Sequence, residues 1–100
     1  MTATPPDACQ TMPQIRAGVD ALDRELVALL ARRYAYMRAA ARIKPDRALV
    51  RDEARKAAVI AAARAEAARL GAPPDRIGAL WEALVESSIA YELERFDERV

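Results

Sequence analysis

Arg33 occupies a position that belongs to an apolar pattern. Ile15, Val19, Leu22, Leu26 and Leu29 recur at alternating steps of four and three, the spacing of one helical face. The same rule carried forward gives Arg33, Tyr36, Ala40 and Ile43. A buried guanidinium costs several kcal/mol unless it is paired, and no acid lies three or four residues to either side of Arg33. Either the side chain reaches solvent or an acid on another helix, or it receives an anion. Lys44 follows eleven residues later, about 16 Å along a helix axis and within about 20° of the same face. Two long cationic side chains leaning together would hold a small dianion. Alone, Lys44 reads as a solvated lysine opposing the dipole at a helix end. Arg16 precedes Arg33 by seventeen residues, about 25 Å along the axis and ~100° around it. It reaches the same space only from an antiparallel second chain, and is otherwise a surface arginine.

A second set of polar groups falls on an apolar stripe nearer the end of the chain. Trp81, Val85, Ser88 and Glu92 are separated by steps of four, three and four. Burial favours a protonated Glu92 carboxyl, and nearby cations favour the charged form. Ser88 also fits as a small filler bonded to the backbone, and Glu92 as the partner of Arg33 in a salt bridge. Asp52 and Arg55 lie three apart, the spacing of an ion pair along one helix. Trp81, Tyr34, Tyr36 and Tyr91 read as core or rim.

Composition removes most other chemistries. The 100 residues contain no His, one Cys (Cys9) and three Gly. That leaves no His-based triad, no His/Cys zinc set, no GxGxxG and no P-loop; no metal or cofactor is expected. With 16 basic and 15 acidic side chains the net charge is +1, and aromatic content is 5%, both unlike a nucleic-acid binder. Residues 1–56 carry 11 basic and 7 acidic groups, and residues 57–100 carry 5 and 8, so a basic first half is expected to lie against an acidic second half. Neither a signal peptide nor a membrane span is evident, and Cys9 has no second cysteine to pair with, so a cytoplasmic protein is expected.

The elements that must position these residues read as all-α. Residues 1–12 are expected to form a flexible tail and residues 13–98 a helical domain. Pro13 suits a first turn, and the run from Gln14 to about Ile43 has no further Pro. Such a rod is about 45 Å long, more than one small chain can cover, so a partner chain is expected. Pro45 ends it at or before Lys44, and Asp46 to Leu49 connect to a second, Ala-rich helix from about Val50 to Leu70. Small residues permit close helix contact. Gly71 is placed to cap it, and Pro73 and Pro74 restart the chain into a third helix from about Asp75 to Arg95.

Ile15-Arg16, Asp20 to Asp23, Leu26 to Arg33, Lys44, Asp52 to Arg55 and Ser88 to Glu92 together resemble the all-helical (AroQ-type) chorismate mutases. Within them the pattern looks closest to the branch that includes isochorismate-pyruvate lyase. The resemblance implies an intertwined homodimer with two sites, each built from both chains. It further implies that Arg16 of the partner subunit and Arg33 grip the substrate's carboxylates, Lys44 bonds the ether oxygen, and Arg55 adds positive charge. The implied reaction, chorismate to prephenate, is pericyclic: one carbon–oxygen bond breaks as one carbon–carbon bond forms, with no proton transfer. The enzyme then needs only to hold a compact conformer and stabilise charge on the ether oxygen.

Two positions depart from that family pattern. Glu92 stands where many members carry Gln, and an ionised carboxylate cannot donate a hydrogen bond, so the role requires Glu92 protonated. Lys56 stands where a Glu commonly bonds the ring hydroxyl; Asp52 is the nearest substitute. The resulting expectation is a chorismate mutase, with isochorismate-pyruvate lyase, which eliminates pyruvate to give salicylate, as the alternative. From a different class, a non-catalytic helical dimer in which Arg33, Lys44 and Glu92 pair with one another accounts for the same residues.

Overall fold

A computed structural model describes residues 3–99. It contains three α-helices in chain order, α1 over Met12–Ile43, α2 over Glu53–Leu70 and α3 over Pro74–Asp97, with single 3-10 turns at Pro6–Ala8 and Arg47–Leu49. Among the described residues there is no strand, and no helix is long and apolar enough to cross a membrane. The all-α, one-long-two-shorter reading of the sequence stands.

The helix ends follow from local chemistry. At the start of α1, the Thr11 hydroxyl accepts the Gln14 backbone N–H at 3.3 Å, while Gln14 Oε1 accepts the backbone N–H groups of Gln10 at 2.7 Å and Thr11 at 3.1 Å. This reciprocal capping box satisfies orphan donors of the first turn and begins the helix at Met12, one residue before Pro13. The Pro6–Ala8 turn lies within the segment expected to be a tail. Pro45 stops α1 as expected, the last bond running from Lys44 N–H to Ala40 O at 2.9 Å.

The second helix starts later than its composition suggests. Asp46 caps the Arg47–Leu49 turn by accepting the Ala48 N–H. Val50, expected to open the helix, is instead buried in the core, and Asp52 is the N-cap of α2. At the other end Gly71 takes φ 78°, the left-handed conformation that a C-cap requires, and the Ala72 N–H reaches Ala67 O at 2.8 Å. Pro74 opens α3 at its first turn, which then runs two residues past Arg95.

By compactness the described chain separates into one unit up to Ala35 and another from Tyr36 onward, α1 being continuous through both. In the first unit the apolar face of α1 is half exposed, from 44% at Ile15 to 57% at Leu22; none of its described residues is buried. In the second unit α2 packs along α3. There Val50, Val85 and Ile89 form the core, flanked by Val59, Ile60, Trp81, Leu93 and Phe96. The alanines of α2 leave an open groove of about 600 Å³ against α3, lined by Arg55, Ala58, Ala62, Ala67, Ile77 and Trp81 among others.

The charge asymmetry of the chain resolves into ion pairs within this second unit. Lys44, Arg47, Arg51 and Lys56 from the basic half meet Glu92, Asp97, Glu86 and Glu82 from the acidic half.

Candidate functional site

Glu92 and Lys44 meet. Glu92 lies on the inward stripe of α3 with Val85 and Ser88, and all three are buried. The stripe predicted from steps of four and three therefore faces the core, carrying a carboxyl and a hydroxyl inward. Lys44, the first residue beyond α1, donates from Nζ to Glu92 Oε2 at 2.7 Å. The carboxylate side chain is 6% exposed and the lysine side chain 30%. Taking a carboxylate out of water is costly without a partner, and the ammonium supplies one while its own exposed portion remains in contact with solvent.

Ser88 Oγ donates to Leu84 O at 2.7 Å, the backbone bond that a buried hydroxyl within a helix adopts. Asp52 does not form the side-chain ion pair with Arg55 that their spacing suggested. Its carboxylate accepts the Arg55 backbone N–H at 3.0 Å, because Asp52 stands just outside α2, where the free N–H groups of the first turn point toward it. The Arg55 side chain is exposed and lines the groove between α2 and α3.

Lys56 is committed elsewhere on the surface of α2 and α3. Its Nζ contacts Glu82 at 2.7 Å and Glu86 at 2.9 Å. Arg51 binds the same Glu86 carboxylate through both terminal nitrogens, at 3.0 and 2.9 Å. The Arg51 hydrogen bonds, followed by the bond from Lys56, hold the Glu86 carboxyl down to about 2.

Arg16 and Arg33 belong to the first unit, Arg16 exposed and Arg33 partly buried. Lys44, Asp52, Arg55, Ser88 and Glu92 belong to the second. Among the described residues no cluster of three or more acidic or cysteine side chains is placed to hold a metal ion.

Several polar residues around the Lys44 end of this unit escaped sequence reasoning. Arg38 Nη1 donates to the Tyr91 hydroxyl at 3.1 Å, and the Arg95 guanidinium lies 5.3 Å from the centre of the Tyr91 ring. The Arg38 bond, reinforced by Arg95, holds the Tyr91 phenol below the usual tyrosine value. Arg47 forms a two-pronged bond to Asp97 at 2.8 and 3.2 Å and keeps that carboxyl below the usual range. Arg99 donates to main-chain oxygens of Ala41 and Lys44. Apart from Arg95 and Tyr91, four residues apart on α3, these partners are fifty or more residues apart in sequence, and no periodicity within one helix announces them.

The sequence profile of the family described as chorismate mutase type II matches residues 15–93 of the chain. No curated protein matches the sequence closely enough to count as a relative.

Proposed function

The chain belongs to the chorismate mutase type II family, and from that premise we propose that it rearranges chorismate to prephenate without a cofactor, as a homodimer. The observation that carries the reading is the Lys44–Glu92 pair, an ammonium and a carboxyl 2.7 Å apart with the carboxyl buried. In the rearrangement the ether oxygen gains negative charge as its bond to carbon stretches. Lys44 is the donor that meets this charge, and a protonated Glu92 is the second donor. Without substrate the two groups satisfy each other; with substrate, the ether oxygen takes the place between them. Arg33 and Arg16 of the partner subunit hold the carboxylates, a task suited to the guanidinium fork, and Arg55 adds positive charge. Ser88 lines the same side of α3 as Glu92.

The half-exposed apolar face of α1 supports the dimer, since a seam of this length is normally covered by another helix. Arg16 then enters a site it cannot reach within its own chain.

One observation favours a second reading, isochorismate-pyruvate lyase. Lys56 replaces the hydroxyl-binding Glu implied by the resemblance and is bound to Glu82 and Glu86. Asp52, the available substitute, already accepts from the head of α2. Recognition of the chorismate ring hydroxyl is weakened accordingly, and isochorismate carries that hydroxyl elsewhere. Separate incubations with chorismate and isochorismate decide the matter. Prephenate formed from the first with the larger kcat/KM establishes the mutase; salicylate and pyruvate from the second with the larger kcat/KM establish the lyase. Absence of turnover with both leaves the non-catalytic helical dimer.

A further inference from the structure

We propose that Arg99 is a positioning residue that fixes Lys44 by clamping the end of α1 that carries it. Arg99 Nη1 donates to Ala41 O at 3.1 Å and to the main-chain oxygen of Lys44 itself at 2.5 Å. These are carbonyls at the C-terminal end of α1, where intrahelical donors run out and negative partial charge collects. A guanidinium there satisfies two acceptors at once with charge-assisted bonds. The guanidinium lies 4.1 Å from the centre of the Phe96 ring, and Phe96 packs against the core formed by Val50, Val85 and Ile89. The clamp is thus anchored to the most buried part of the unit.

The placement at the end of α3 makes the arrangement specific. Glu92 and Phe96 are four residues apart on the stripe of Val85 and Ser88, and Arg99 follows two residues past the helix, its backbone N–H bonded to Phe96 O at 3.1 Å. The end of α3 and the residues just past it therefore hold Lys44 at both extremities, its Nζ through Glu92 and its carbonyl through Arg99. Just beyond Lys44, the Arg47–Asp97 pair fastens the next turn to the same end of α3. A lysine that must place a proton donor on an oxygen as charge develops depends on such anchoring, because small errors in position weaken the interaction in the transition state.

The inference rests on the reading of Lys44 as the donor to the ether oxygen. The test measures chorismate kinetics and backbone amide exchange in the full chain for the parent, Arg99→Ala, Arg99→Lys, Lys44→Ala and the Lys44→Ala/Arg99→Ala double variant. Arg99→Ala is expected to lower kcat about tenfold with KM changed less than about twofold, the signature of an interaction lost in the transition state. Arg99→Lys, which keeps a cationic donor group but not the planar fork, recovers part of the loss. In the Lys44→Ala background removal of Arg99 has no further effect on kcat, since the group it positions is gone. Exchange in the segment 41–49 speeds up in Arg99→Ala and stays unchanged over 84–93.

An unchanged kcat in Arg99→Ala, or an equal fall in both backgrounds, overturns the proposal. If Arg99→Ala fails to fold, Arg99→Gln carries the same comparison. Parent-like activity in Lys44→Ala, or no mutase activity in the parent, overturns the reading of Lys44 instead, while the exchange measurement still reports whether Arg99 holds the segment.

Discussion

Glu92 is a hydrogen-bond acceptor in the structure and must be a donor in the proposed reaction. In the structure Glu92 Oε2 accepts from Lys44 Nζ at 2.7 Å, whereas a bond to the substrate's ether oxygen needs the carboxylic acid as donor. The two demands are reconciled by protonation, which gives the reaction a direction in pH. Only the acid form can donate to the ether oxygen, so the proposed role predicts a larger kcat/KM at acid than at mildly alkaline pH. Glu92→Gln carries an amide that donates at every pH, so its kcat/KM is expected to be flat across the same range. Rate measurements for both proteins from acid to mildly alkaline pH check this, and a flat profile in the parent removes the role. Arg33 is different in kind. Its place in an apolar pattern was visible from spacing alone, since every neighbour at helical distance is uncharged, but the carboxylate-binding role proposed for its guanidinium rests on the family resemblance.

At the scale of elements, the pairing of α2 with α3 is stitched by Glu86, which binds Arg51 and Lys56 together. Its folded carboxyl sits at about 2, below the ordinary 4.5. A lowered folded value means that the stabilisation is complete above about 4.5 and is lost as pH falls from there toward 2. The thermal midpoint of Glu86→Gln is therefore expected to drop less than that of the parent between about pH 5 and pH 2, as circular dichroism melts will show. The helices themselves were legible because Pro45, Gly71 and Pro74 act locally: each sets the backbone at its own position whatever surrounds it. The start of α2 was not. Val50 is equally acceptable to a helix and to a core, and only tertiary packing of Val85 and Ile89 against it decided for the core. Asp52 then fell to the cap, which displaced the ion pair with Arg55 inferred from spacing. The Thr11–Gln14 capping box was written in the sequence as a Thr and a Gln three apart, but Pro13 drew the boundary one residue too late. The Lys44–Glu92 contact joins positions forty-eight residues apart, a distance over which the pattern of one helix carries no information about the register of another.

For the whole molecule, the decisive question is whether each site draws on two chains. In the proposed dimer, Arg16 serves the site whose Lys44 belongs to the other subunit. Arg16→Ala and Lys44→Ala then damage different members of each pair of contributors. Unfolding and refolding equal amounts of the two inactive variants together gives heterodimers in which one site carries both lesions and the other carries neither. About a quarter of parental activity is expected to return, since about half of randomly paired molecules are heterodimers with one intact site. Sites complete within one chain return none. The half-exposed face of α1 between Ile15 and Leu29 carries this further. Where a fold borrows its interior from a twin, encounter and folding are one equilibrium, so dilution is a denaturant: specific activity declines in thin solution and the melting temperature climbs with concentration.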